Sequence, residues 1–310
     1  MKPTYFYQLL FALFITTTAS GAENVGNSEP IVISGTKFTY PLVERWIAEY
    51  QKANPNTNIR LVAKANAGQV SDLSIIAHQP AQNELQPTQE IIYTGRYALL
   101  PVTNNNNPIL VDAARKGLDK KELDKLFFEV LDYDSDEPVQ KSKFTANIYS
   151  RDNKSCTSIT LAGHFGHQSS EIRGKKVFGD DIYLLSALKK DSVGLTYNVL
   201  NYVFDTNSRT LKSGLAILPV NLRKEAKVIQ GGSLDDVLGT LEKNQVETIP
   251  VEKIGFVYDR QSARKEVSAF LKWVLLEGQQ FNHGQGFLTI DKNVAAEQSA
   301  NLEEKLLTLK

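Results

Sequence analysis

An α/β fold divided into two lobes is what this sequence predicts, and three observations carry the prediction. Short β-type runs alternate with helically spaced apolar stripes along almost the whole chain. The opening run–helix–run segment reads as a β-α-β unit, whose two strands pair in parallel. A strand and a long amphipathic helix then return late, after a block large enough to stand alone, which points to a discontinuous first lobe.

The elements follow in order. Residues 31–34 (Ile-Val-Ile-Ser) form a β-type run that ends at Gly35, and a helix starts at Pro41 with Leu42, Val43, Trp46, Ile47 and Tyr50 on one face. Asn54, Pro55 and Asn56 stop it, and residues 58–63 read as the second strand. Residues 72–77 and 91–102 are further strands, and the asparagine run 104–107 before Pro108 is a turn or hinge. Leu123, Leu126, Phe127 and Val130 form the buried stripe of a helix over 118–131. A strand over 144–149, a polar stretch to Ser158 and an apolar segment over 159–165 come next. Regular elements are expected over 180–188 and 193–204, a strand over 215–220 and a helix over 234–243. A strand region over 249–258 precedes the late helix over 265–278, with Val267, Phe270, Leu271, Val274 and Leu275 inward.

The first twenty-two residues read as a leader. Lys2 is the only charge before Glu23, the apolar run 5–15 is broken only by Gln8, and small residues follow with Ser20 and Ala22 at the minus-three and minus-one places of a cleavage site. That order is a secretory signal, and the apolar run is about half the ~20 residues that a membrane-spanning helix needs. Removal of residues 1–22 leaves 288 residues with 34 basic and 35 acidic side chains, no membrane span, and an expected periplasmic location.

Composition excludes several classes. The 310-residue chain has 35 basic and 35 acidic residues, so a general nucleic-acid binder, which needs a basic excess to displace counterions, is ruled out. A single cysteine, Cys156, excludes an internal disulfide framework and a structural zinc knuckle. Export argues against ATP-driven or NAD-dependent chemistry, and no cofactor is expected. The four histidines lack a thiol or acidic pair at ligand spacing, the basic run 173–176 is a solvated face, and His283 is a loop residue.

Two strand–loop–helix junctions could carry chemistry. In residues 149–157 (YSRDNKSCT), Ser155 sits where it would cap a helix and Arg151 lies in the loop before it. Helix N-termini leave backbone N–H groups unpaired and carry partial positive charge, so they attract anions. Ser155, Thr157 and the Cys156 N–H are donors, and Arg151 offers a fork that matches oxyanion geometry. A serine at a helix start is, equally, an ordinary cap. The second junction, residues 34–40 (SGTKFTY), has Gly35 for close backbone approach and Thr36, Lys37 and Thr39 as donors. It reads either as an anion loop or as a tight turn with a solvated lysine.

These residues carry a resemblance. The chain is similar to the substrate-binding proteins of phosphate ABC importers through SGTKFTYPLVERWIAEYQ, YTGRYALLPVTNNNNP, LDKKELDKLFFE, RDNKSCT, VGLTYNVLNY, IPVEKIGFVY and FLKWVLLEGQQFNHGQGFLTI, which together span nearly all of the mature length. The resemblance implies a type II periplasmic-binding-protein fold, with residues 23–102 and 246–310 in one lobe, 103–245 in the other, and a hinge between them. It implies a tetrahedral oxyanion, phosphate first, held between the lobes, and an ABC permease as partner. Arg151, Ser155 and Thr157 match the family's arginine-x-x-x-serine-x-threonine motif, and Phe38 aligns with a backbone donor. Thr36 and Lys37 fall where the family often has serine or threonine. There are four departures. Cys156 replaces the usual glycine, so that its side chain crowds the site, and Lys37 adds a positive charge. The serine- and glycine-rich second loop is shortened to residues 65–69. The place of the family's acidic residue is occupied by about Ala77, with His78 beside it. That acid normally accepts the proton of a protonated phosphate, so its loss raises a second reading: an envelope sensor or interaction protein diverged from phosphate binding. An enzyme using Cys156 with His164 or His167 is the least supported reading, because both histidines fall toward the body of the following helix.

Overall fold

The structure is a computed structural model, and it describes residues 29–63, 70–81, 83–128, 142–220, 224–262 and 264–308. The predicted leader (1–22) and the shortened loop (65–69) lie outside the described residues.

Strand β1 (Ile31–Gly35) is a β-branched run covered on both faces, and it leads through a 3-10 turn (Lys37–Thr39) into helix α1 (Tyr40–Ala53). Pro41 in the first turn lacks only an N–H that would have had no partner there. The expected stripe of Leu42, Val43, Trp46, Ile47 and Tyr50 is buried, each side chain contributing roughly 1.5–3 kcal/mol of transfer free energy. The Trp46 indole N–H donates to the Gly278 carbonyl at 2.9 Å, which ties α1 to the C-terminal part of the chain. Strand β2 (Ile59–Leu61) pairs with β1 in parallel, as the β-α-β reading requires, and β3 (Leu73–Ile76) pairs in parallel on the other side of β1.

Strand β4 (Gln89–Asn104) is sixteen residues long and organises the molecule. Beyond it the chain makes α2 (Ile109–Ala113), α3 (Lys120–Phe127), β5 (Asn147–Ser150), α4 (Cys156–Phe165), β6 (Lys175–Lys176), α5 (Ile182–Lys190), β7 (Gly194–Val199) and α6 (Leu200–Val203). It continues through β8 (Leu215–Ile217), α7 (Lys224–Gly231), α8 (Leu234–Lys243), β9 (Val251–Asp259), α9 (Lys265–Leu276) and α10 (Lys292–Thr308). The described strands connect in the order β2-β1-β3-β9-β4-β7-β5-β6, with β8 also on β4. The first part of β4, through Ala98, pairs with β9, and the part from Leu99 onward pairs with β7 and β8. One strand therefore serves both halves of an α/β, two-lobe fold.

The asparagine run makes a turn at the far end of β4, where the Asn107 N–H donates to the Asn104 carbonyl at 3.0 Å. The segment 193–204 divides into strand β7 and the short helix α6. Helix α10 is clamped to β4 by Gln298, whose side chain accepts from the Tyr93 N–H and donates to the Tyr93 carbonyl, both at 2.8 Å. No helix among the described residues is long and apolar enough to cross a membrane.

Candidate functional site

The two junctions singled out in the sequence face each other across a cleft of about 500 Å³. One wall is the β1–α1 loop (residues 34–38) with Ser74 and Ile75 of β3; the other is the β5–α4 loop, the first turn of α4, and Asp180 and Asp181 before α5. Gly35 makes the first wall possible. Its φ is +134°, and a Cβ there would lie 2.5 Å from the Ile75 carbonyl oxygen.

Thr36, Lys37, Phe38, Arg151, Ser155, Cys156 and Thr157 line this cleft, whereas His78 is buried behind Cys156 and Thr39 is fully buried; several already have partners. Ser155 caps α4: its hydroxyl accepts from the Ser158 N–H at 3.3 Å and donates to the Asp152 carbonyl at 3.0 Å. The buried Thr157 hydroxyl donates to Asp181 Oδ1 at 2.6 Å. Arg151 is 7% exposed; Nη1 donates to the Val177 carbonyl at 3.0 Å and Nη2 lies 3.5 Å from Asp152 Oδ2. Its Nε is buried without a hydrogen-bond partner, with Asp181 Oδ1 at 3.8 Å. Phe38 is buried against Tyr97, ring centroids 4.8 Å apart, and its carbonyl accepts from Asn201 Nδ2 at 2.9 Å. Lys37 is exposed at the rim. Within the first turn of α4, the N–H groups of Cys156 and Thr157 have no intrahelical acceptor.

Sequence reasoning missed Asp181. It is 8% exposed, and burial holds its carboxyl above the ordinary aspartate value, while the Thr157 hydroxyl and the Arg151 charge pull the other way. With Asp152 and Asp180 it faces Lys37, Arg151 and Lys154, so three acidic and three basic side chains line the cleft. An anion here meets directed donors rather than a net positive field.

Two departures from the family pattern turn out to be one interaction. His78, just past β3, places Nδ1 3.1 Å from the Cys156 sulfur, and its Nε2 lies 2.9 Å from Glu84 Oε1. A carboxylate only accepts, so Nε2 carries the hydrogen; when the ring is neutral, Nδ1 is therefore free to accept from the thiol. Glu84 is itself held by the Ala81 N–H at 3.0 Å. The Thr36 hydroxyl lies 3.3 Å from the same sulfur, so the Cys156 side chain spans the cleft to the opposite wall. Burial pulls the His78 imidazole down, but the Cys156 sulfur and then Glu84 outweigh it and hold the group above its ordinary value. The alignment is fixed from β4. The buried Tyr97 hydroxyl donates to the Ala77 carbonyl at 2.7 Å and lies 2.8 Å from the Thr160 hydroxyl, one turn along α4 from Cys156. His164 and His167 lie at the other end of α4, bonded to the Glu247 carbonyl and to Asp124. No cluster of metal-ligating side chains occurs among the described residues.

No protein-family model matches the sequence, and no curated protein matches it. Solved structures match the fold. A candidate phosphate ABC transporter substrate-binding protein of Clostridium perfringens, with phosphate bound, superposes with a TM-score of 0.61 at 14% identity over 85% of this chain and 100% of its own. An ABC-type phosphate transport receptor of Vibrio cholerae gives 0.56 at 11% identity over 84% of this chain and 100% of its own. A candidate phosphate-binding protein of Planctomyces limnophilus gives 0.51 at 16% identity over 90% and 99%. The chain has the two-lobe fold of these binding proteins.

Proposed function

We propose that this protein is an extracytoplasmic solute-binding protein that captures a tetrahedral oxyanion, with phosphate the first candidate, between two lobes. Residues 23–102 with 246–310 form one lobe and 103–245 the other. The leader exports the chain to the periplasm, and an ABC permease receives the loaded form. The observation that carries this reading is the convergence of the β1–α1 and β5–α4 junctions on one cleft, with the buried Arg151 in its wall.

The hydroxyls of Ser155 and Thr157 already donate to Asp152 and Asp181, so the donors left for an anion are of three kinds. They are the first N–H groups of α4, those of Lys37 and Phe38 (the Thr39 N–H already donates to the Thr36 carbonyl at 3.2 Å), and the remaining guanidinium hydrogens of Arg151. Each hydrogen bond to a charged group contributes about 1.5–3 kcal/mol. Because the donors sit on both walls, an anion favours the closed arrangement through its differential affinity, and a permease then recognises that arrangement. Calorimetry on protein refolded free of anions tests this. Heat with phosphate is the expected result; no heat with phosphate, sulfate or organic phosphates overturns it.

A second reading is favoured by the Cys156–His78 contact: a non-transport envelope sensor that keeps the fold but has changed the ligand. Sulfate binding without phosphate preference supports it, because Ala77, with His78 beside it, stands in the place of the carboxylate that would receive a phosphate proton.

A further inference from the structure

Cys156 in the cleft wall is the first of a nucleophile, a base and an orienting carboxylate in hydrogen-bonded sequence, the last two standing behind it: Cys156 Sγ to His78 Nδ1 at 3.1 Å, and His78 Nε2 to Glu84 Oε1 at 2.9 Å. This is the arrangement that activates a thiol, with the third group fixing the tautomer of the second. The sulfur stands in the first turn of α4 and faces the cleft, where a developing negative charge is favoured. An observation independent of this trio points to a guest in the same space. Arg151, 7% exposed, lines the cleft with its buried Nε lacking a hydrogen bond and Asp181 Oδ1 3.8 Å away, so its guanidinium is incompletely bonded beside the space an anionic or strongly dipolar group would fill.

We propose that Cys156 is a peroxide-reactive thiol, with His78 as its base and Glu84 as the positioning residue. The sulfur attacks one oxygen of hydrogen peroxide and the O–O bond breaks. The thiol proton passes to His78 Nδ1 and on to the departing hydroxide, which leaves as water. Cysteine is oxidised to the sulfenic acid and the peroxide is reduced. A small oxidant fits better than an acyl substrate, because His78 is 7% exposed and is reached through the sulfur. It can return a proton to an oxygen adjoining the attacked atom but not to a bulky leaving group. The Thr36 hydroxyl, 3.3 Å from the sulfur and donating to the Ile75 carbonyl at 3.3 Å, is placed to accept a hydrogen from the incoming peroxide. With one cysteine in the chain there is no internal thiol to resolve the product, so the oxidised state persists until an external thiol reduces it. The added oxygen enters the space of the proposed oxyanion, and this last consequence alone rests on the solute-binding reading.

The full chain without its leader is treated with equimolar hydrogen peroxide and trapped with dimedone, and intact mass is read. The same protein is labelled with iodoacetamide at neutral pH beside H78N, E84Q and E84D. A single dimedone adduct is expected, with labelling slowed by about tenfold or more in H78N. E84Q is also slowed, because a glutamine amide can donate to Nε2 and turn the tautomer round, while E84D recovers part of the rate with unchanged circular dichroism. Should H78N fail to fold, the E84Q and E84D pair carries the test. No adduct, or variants that label as fast as the wild type, overturns the proposal. Phosphate calorimetry on reduced and oxidised protein separates the two readings. Affinity lost only on oxidation, by about tenfold or more because the added oxygen displaces at least one hydrogen bond to the anion, couples them. No binding of phosphate, sulfate or organic phosphates by the reduced protein defeats the solute-binding reading and leaves the thiol result untouched.

Discussion

Replacing Tyr97 by phenylalanine removes one oxygen from the centre of the molecule and keeps the ring that packs on Phe38. The hydroxyl is fully buried; it donates to the Ala77 carbonyl at 2.7 Å and is paired with the Thr160 hydroxyl at 2.8 Å. Thr160 can rotate toward the carbonyl four residues back in its helix. The Ala77 carbonyl has no such recourse and loses a donor in a dry site, which costs about 1–3 kcal/mol. For a domain of this size that lowers Tm by roughly 2–10 °C. Urea unfolding should show a lower midpoint with an unchanged m-value, since the surface exposed on unfolding is the same. The same hydroxyl ties the strand end before His78 to the helix that carries Cys156, so alkylation of Cys156 should also slow. An unchanged midpoint together with an unchanged labelling rate would refute the idea that Tyr97 sets the geometry of the cleft.

Three further outcomes follow from the structure. D181N removes a carboxylate 3.8 Å from Arg151 Nε while leaving an acceptor for Thr157. Phosphate affinity by calorimetry at low salt should rise by about tenfold, and a fall would show that Asp181 assists the anion. G35A forces a Cβ to within 2.5 Å of the Ile75 carbonyl oxygen at a φ of +134°, so it should destabilise the protein by more than about 2 kcal/mol in urea titration. His78 is held above 6.5 in the native state, so it adds stability that is complete below that value and is lost as pH rises through its native pKa. His164, held below 6.5 chiefly by burial, acts in the opposite sense: its contribution is lost as pH falls through its native value. The comparison is therefore wild type against H78N, and the wild-type advantage should be larger near about pH 6 than about pH 8.

Helices built on large apolar side chains were legible in the sequence. The stripes of α1 and α9, and Leu123, Leu126 and Phe127 of α3 (Val130 lies outside the described residues), are buried where the spacing placed them, because leucine, valine and aromatic residues at three- and four-residue intervals have one common face. Helix α10 was not legible, because the face it buries is written as Ala295, Ser299 and Leu302, two of which carry too little apolar surface to register. In the site, the residues within single loops could be read: Thr36, Lys37 and Phe38 in one, Arg151, Ser155, Cys156 and Thr157 in the other. What joins residues from distant segments could not. His78 and Cys156 each looked like a separate departure from a pattern, and only the packing of α4 beside the end of β3 makes them partners. Asp181 reaches Thr157 because α5 and β5 both pack on β7, a relation that leaves no mark in local spacing.

The place of β9 between β3 and β4 sets an order on the molecule's assembly. Ser74 pairs with Val257 and Ile92 with Phe256, so the sheet around the N-terminal strands stays open until Val251–Asp259 has emerged. Strands β5, β7 and β8 find their partners much earlier, within the chain already made. The second half is therefore able to form first, and the first half waits on pairings of long sequence separation, which are slow to close. A chain ending short of residue 251 presents two facing, unpaired strand edges on β3 and β4, the kind of surface that recruits other chains. The late-arriving strand is thus the molecule's own protection against aggregation.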